Sequence, residues 1–194
     1  MTVPGRREAA RLLTSLEPPP WFLAHACAVA DVAAWLATRA RSNGSRVDVT
    51  LVATAALLHD VDKLPSVEAP GRHGEGSAAW LAARGWAELG PVVREHPVTR
   101  LAEATWEAWS ASAAVEAQIV AYADKRAGQQ LEPMDERFAS WRRRYPSGPG
   151  DDAVAALVFE RARRLERDVC TLAGVGPAQV RRLRWSRRAL REAA

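Results

Sequence analysis

Apolar residues in this chain recur at spacings of three and four, segment after segment, and no stretch alternates β-branched residues as a half-buried strand would. That periodicity predicts an all-α fold. Gly5 to Leu16 places Ala9, Leu12, Leu13 and Leu16 on one stripe, which Pro18, Pro19 and Pro20 end. Trp21 to Arg41 carries His25, Val29, Val32 and Leu36 along one face and stops at Asn43-Gly44. Asp48 is placed to cap a helix running to Asp60, in which Val52, Ala55, Ala56 and His59 share a face. His73 opens a further helix closed by Arg84-Gly85, and Pro91 restarts helical structure towards His96-Pro97. Ser112 is expected to cap a helix on which Ala117, Val120, Ala121 and Asp124 line up. A helix over Asp135 to Tyr145 follows. The last clear one, Asp152 to Ala173, puts Val154, Leu157, Val158, Ala162, Leu165, Val169 and Leu172 on a stripe that packs on the body or on another subunit.

At 194 residues the chain suits one compact domain with an appendage. Pro146-Ser147-Gly148-Pro149-Gly150 is the clearest linker, so the expected division is a core over 1–146 and a basic C-terminal helical extension over 147–194. Cys27 and Cys170 are the only cysteines and form no CxxC pair, which suits a reducing cytoplasm. No leader pattern opens the sequence, and the longest apolar run, Leu51 to Leu58, is too short to span a bilayer. The formal charge of +4 is a weak pointer to anionic ligands. More telling, lysine occurs only at Lys63 and Lys125, both beside the residues that carry chemistry. Arg181, Arg182, Arg184, Arg187, Arg188 and Arg191, against a single Glu192, read as a solvated face in preference to a nucleic-acid contact.

Four histidines, all between residues 25 and 96, sit on apolar helix faces or near helix ends. Any one of them alone would be an ordinary hydrogen-bonded histidine. His25, His59 and Asp124, however, point inward from three separate helices, and a buried unpartnered carboxylate costs several kcal/mol, on the order of other unpaired buried charges. A shared cation resolves that cost. Imidazole and carboxylate donors suit first-row divalent ions, Fe or Mn first, with Zn, Co or Ni as alternatives, and the absence of thiolates disfavours a structural zinc site. Asp60 has two oxygens, enough to bridge a first ion (His25, His59, Asp124) and a second held by His73 and His96.

The order His25, His59-Asp60, His73, His96, Asp124 resembles the H...HD...H...H...D signature of the HD-domain metal-dependent phosphohydrolase superfamily. Its flanks agree. Ala55-Ala56-Leu57-Leu58-His59-Asp60-Val61-Asp62-Lys63 is similar to the family's apolar helix ending in HDxxK, and Tyr122-Ala123-Asp124-Lys125 to its terminal ADK segment. The resemblance spans roughly residues 21 to 145. It implies a helical bundle around two metal ions that hydrolyses a phosphate ester or anhydride of a small metabolite, commonly a nucleotide. Asp60 and Lys63 are then the catalytic pair, Lys63 also contacting substrate phosphate. Two departures stand out: Asp62 occupies a position where many relatives have Gly, and no GYP-type extension follows His96, which argues against the subgroup that opens cyclic dinucleotides.

Other residues carry less. Glu75 is placed to orient a ligand or protonate a leaving group, but also suits the first turn of a helix. Lys125 and Arg126 face the mouth of the site or snorkel from a helix end. Trp80, Trp86, Trp106 and Trp109 are core in preference to a base-stacking platform. Two other functions use the same residues: a mixed-valent di-iron oxygenase, and a non-catalytic module that binds anions or nucleic acid.

Overall fold

The computed structural model describes residues 3–128, 131–144 and 151–181. The expected linker at 146–150 and the arginines from Arg182 onward lie outside the described residues. As the periodicity predicts, the described fold is all-α, its nearest approach to a sheet being an isolated bridge between Ala127 and Leu131. In chain order the helices are α1 (Arg6–Ser15), α2 (Pro20–Ser42), α3 (Val49–Leu58), α4 (Glu75–Ala82), α5 (Gly90–Val93), α6 (Trp106–Ser112), α7 (Val115–Arg126), α8 (Met134–Arg144), α9 (Asp151–Ala173) and α10 (Pro177–Arg181).

Helix α2 is the axis of the bundle, with α3, α7 and α9 packed around it. Its alanines let neighbouring backbones come close, and Phe22, Ala26, Val29, Ala30, Ala33, Leu36 and Ala37 are all fully buried. This helix is long and apolar enough to cross a bilayer, a property that the Leu51–Leu58 run does not reveal, but 61% of that stretch is buried inside the protein. Pro20 occupies the first turn of α2, where a missing N–H costs nothing, so the proline triplet both closes α1 and starts its successor. Asp48 caps α3 as expected, its carboxylate accepting from the backbone N–H groups of Thr50 and Leu51; such a cap contributes about 1 kcal/mol.

Two helix starts differ from the sequence reading. Ser112 does not cap the Asp124 helix: it ends α6, its hydroxyl donating to Ala108 O at 2.8 Å, and extended backbone at Ala113 and Ala114 separates α6 from α7. His73 does not open α4 either. Gly74 intervenes at φ +86, and a Cβ there would lie 2.7 Å from Arg94 O and 2.9 Å from Pro97 Cγ. Only glycine permits that approach, and it draws the loop before α4 against the loop after α5.

The stripe on α9 is split. Ala162, Leu165 and Val169 join the core, whereas Val154 and Leu157 are exposed. A buried polar group fastens the helix to α7: Arg126 Nη1 donates to Tyr122 Oη at 2.7 Å and to Glu166 Oε1 at 3.1 Å, and Tyr122 Oη donates to the same carboxylate at 3.0 Å. Arg126 therefore does not face the mouth of any site.

Candidate metal centre

Four elements converge near the N-terminal third of α2. His25 comes from α2 itself, one face of which is otherwise apolar. His59 ends α3, and Asp60 leaves helical geometry at φ −106, ψ 12 to begin a short 3-10 turn over Val61–Lys63. His73 and His96 come from the two loops that Gly74 brings together, and Asp124 lies near the end of α7. His59, Asp60 and His96 are almost fully buried, while the His73 side chain is 35% exposed.

All four imidazoles are oriented through Nδ1. His25 Nδ1 is 3.1 Å from Gly128 O, His59 Nδ1 2.7 Å from Ala56 O, and His96 Nδ1 2.5 Å from Val93 O. His73 Nδ1 is 3.0 Å from Asp62 Oδ1. Carbonyls and carboxylates only accept, so each ring donates its Nδ1–H and Nε2 is the atom left to bind an ion or a proton. Those Nε2 atoms face one another: His25 Nε2 lies 3.2 Å from His59 Nε2, and His73 Nε2 3.1 Å from His96 Nε2.

The two carboxylates complete two groups. Around the first pair, Asp60 Oδ2 is 3.3 Å from His25 Nε2 and 3.5 Å from His59 Nε2, and Asp124 Oδ1 is 3.4 and 3.6 Å from the same two atoms. Around the second pair, Asp60 Oδ1 is 3.3 Å from His73 Nε2 and 3.1 Å from His96 Nε2. Donors bound to one ion at about 2.1 Å lie roughly 3.0 to 3.4 Å apart at adjacent corners of a tetrahedron or octahedron, so both groups fit a divalent ion with little adjustment. Asp60 presents a different oxygen to each.

Charge points the same way. Burial works to raise the Asp60 and Asp124 carboxyls, but the charge of His59 and the histidine hydrogen bonds hold Asp60, and the hydrogen bonds to His25 and His59 with the charge of Lys125 hold Asp124, well below the usual carboxylate range. Burial likewise works to lower His25 and His73, yet their carboxylate partners push them up to about 10 and about 9. His96, almost fully buried, is brought down to about 4 by burial and by the charge of His59. The cluster thus attracts positive charge at two places and keeps a neutral imidazole between them.

The HD domain family profile matches residues 22–128. The chain belongs to the HD domain family. No curated protein and no solved structure matches it. HD domains are in general metal-dependent hydrolases, and the matched segment contains all six of the donors described above. It stops at Gly128, short of the resemblance to residue 145 read from the sequence, and leaves α8 and α9 outside.

The remaining candidates fall where packing puts them. Lys63 lines the cleft with its side chain 45% exposed and its ammonium 2.8 Å from Asp60 Oδ2. Lys125 does not reach the mouth: its buried ammonium donates to His96 O at 2.6 Å and Ala121 O at 3.1 Å, and burial lowers it to about 8. Glu75 is engaged by Arg100 at 2.9 Å, away from the donors. Trp80 and Trp106 are core, with Trp86 and Trp109 packed against it. Asp62, noted in the sequence only for standing where many relatives have Gly, has a definite role here: besides holding His73 it accepts from Gly74 N at 2.7 Å and Ser77 N at 3.3 Å. Sequence reasoning missed Trp21, Arg137 and Trp141, which line the same cleft.

Proposed function

We propose that this HD domain hydrolyses a phosphate ester or anhydride of a small metabolite, a nucleotide being the commonest candidate, with His25, His59, Asp60 and Asp124 holding one divalent ion and Asp60, His73 and His96 a second. The observation that carries the reading is the pairing of imidazoles whose Nδ1 positions are already committed, so that their Nε2 atoms converge in two pairs on the two oxygens of Asp60. Such donors suit Fe or Mn, with Zn, Co or Ni as alternatives. Two such ions would supply Lewis acidity towards the phosphoryl oxygens and the attacking water.

The chain's own residues do the rest. Asp60 fixes the spacing of the two halves of the site. Lys63, on a long and half-exposed stem, can leave Asp60 and pair with a substrate phosphate. His73, the most exposed donor with a carboxylate partner behind it, stands where the cleft opens. Cys27 and Cys170 are buried and not joined to each other in a disulfide, which is compatible with the proposed reducing, cytoplasmic setting.

The test is metal analysis of protein purified without oxygen, followed by a panel of phosphate esters with Mn or Fe. About two metals per chain and phosphate release without oxygen uptake are expected. Substrate-dependent oxygen consumption in place of phosphate release would make the protein an oxygenase, and metal uptake with no turnover on any ester would leave a binding module.

A further inference from the structure

The candidate metal centre forms the floor of a cleft of about 1080 Å³, above the roughly 300 to 1,000 Å³ typical of small-molecule sites. A phosphoryl group at His25, Asp60, Lys63, His73 and Asp124 leaves much of that volume for the rest of a substrate. Its walls come largely from outside the matched HD segment. Arg137, Phe138, Ser140, Trp141, Arg142 and Arg144 all line the cleft, so a broad face of α8 is laid into it. Val154 and Val158, one turn apart on α9, line it as well. On α2, Trp21 also lines the cleft and precedes His25 by four residues, a rise of about 6 Å along the same helix face.

These walls set aromatic and apolar side chains among three arginines, Arg137, Arg142 and Arg144, above a floor of histidines and carboxylates. Phe138 and Trp141 meet edge to face with ring centroids 4.9 Å apart, and the Arg137 guanidinium lies over the Trp141 ring at 4.8 Å. Trp21 and Val154 are 50% and 49% exposed, among the most exposed large apolar side chains of the described residues. We propose that the organic half of the substrate is a flat aromatic group, seated between Trp21 and the α8–α9 wall while its phosphate sits at the metal centre. Rings accept another ring edge-on or offset, a geometry that an alkyl chain does not exploit. Continuity with the floor that holds the phosphate argues for a substrate in this cleft over a second copy of the chain.

This inference rests on the phosphate-binding reading of the floor, so its test measures binding and not turnover. Mn-loaded protein is titrated calorimetrically with 1-naphthylphosphonate, octylphosphonate and methylphosphonate, none of which can be hydrolysed as an ester. Naphthylphosphonate is expected to bind at least tenfold tighter than methylphosphonate and tighter than octylphosphonate. Trp21→Ala and Val154→Asp, both at exposed positions that the fold does not need, should each weaken it fivefold or more and leave methylphosphonate within twofold. Equal affinities for the three phosphonates, or a preference for octyl, would overturn the proposal. So would Val154→Asp turning a dimer into a monomer by light scattering without changing naphthylphosphonate binding, since that face would then be a subunit contact. If naphthylphosphonate binds as expected but no ester is cleaved, the hydrolase reading fails and this one stands; if esters are cleaved alike whatever their organic half, the reverse holds.

Discussion

Asp60 is the residue on which both halves of the site depend, because it alone approaches each pair of imidazoles, with one oxygen apiece. Asp60→Ala should remove both metals and all hydrolysis together, whereas Lys63→Ala should leave metal content unchanged and lower turnover of phosphorylated substrates. Metal analysis beside steady-state kinetics separates the two, and metal loss in the lysine variant would end its assignment as a phosphate contact. Asp62 acts at one remove, through His73. Removing such a partner of a ligating histidine typically weakens metal binding about 10- to 100-fold, so Asp62→Asn should weaken the second ion by that order in a metal titration and leave the first unaffected. The same residues set a pH dependence in the metal-free protein. His25 and His73 are raised above an ordinary 6.5, so their contribution is complete below that pH and is lost as pH rises towards about 9 and 10. His96 is lowered to about 4, and its contribution is lost as pH falls from 6.5. Lys125, held down to about 8, opposes the histidines only above that value. The melting temperature of chelator-treated protein should therefore peak near pH 6.5 and fall by pH 8, while the Mn-loaded protein keeps or gains stability over that interval because metal displaces the protons.

At the scale of elements, the second pair of imidazoles depends on a loop contact. Gly74→Ala would drive a Cβ into Arg94 O and Pro97, besides straining a residue at φ +86. The expected result is a folded protein with about one metal per chain in place of two, read by metal analysis, together with a far-UV spectrum close to the parent's. This contact was not legible in the sequence, where His73 looked like the start of a helix because the apolar residues after it set the period. Ser112 misled for a related reason: a serine before a helical pattern is a good cap signal, but its hydroxyl bonded back into α6 and the chain broke two residues later. The donors themselves were legible, as each lay on an apolar face or beside a helix end where a polar group needs a reason. Asp62 announced itself only as a departure from the glycine of many relatives. Arg137 and Trp141 gave no signal at all, since the approach of α8 to the cleft is decided by tertiary packing and not by the spacing of its own residues.

For the molecule as a whole, α9 is held to the HD segment by the buried Arg126–Glu166 pair, both side chains being 2% exposed. Breaking a buried pair by deleting one partner strands the other charge and costs about 3 to 5 kcal/mol. Glu166→Ala should lose stability of that order in urea unfolding, moderated by whatever water reaches Arg126, and an unchanged midpoint would show that α9 is only loosely docked. Arg126 stands two residues after Asp124 on α7, so one short helix offers a donor to the candidate metal centre at one point and grips α9 at the next. Coupling between two such points is reciprocal: whatever steadies α7 from the cleft side must also steady the grip on α9, and loosening the grip must be felt at Asp124. Backbone amides around Glu166 should accordingly exchange with deuterium more slowly once Mn is added, although Glu166 is not one of the candidate donors, and Glu166→Ala should erase that response.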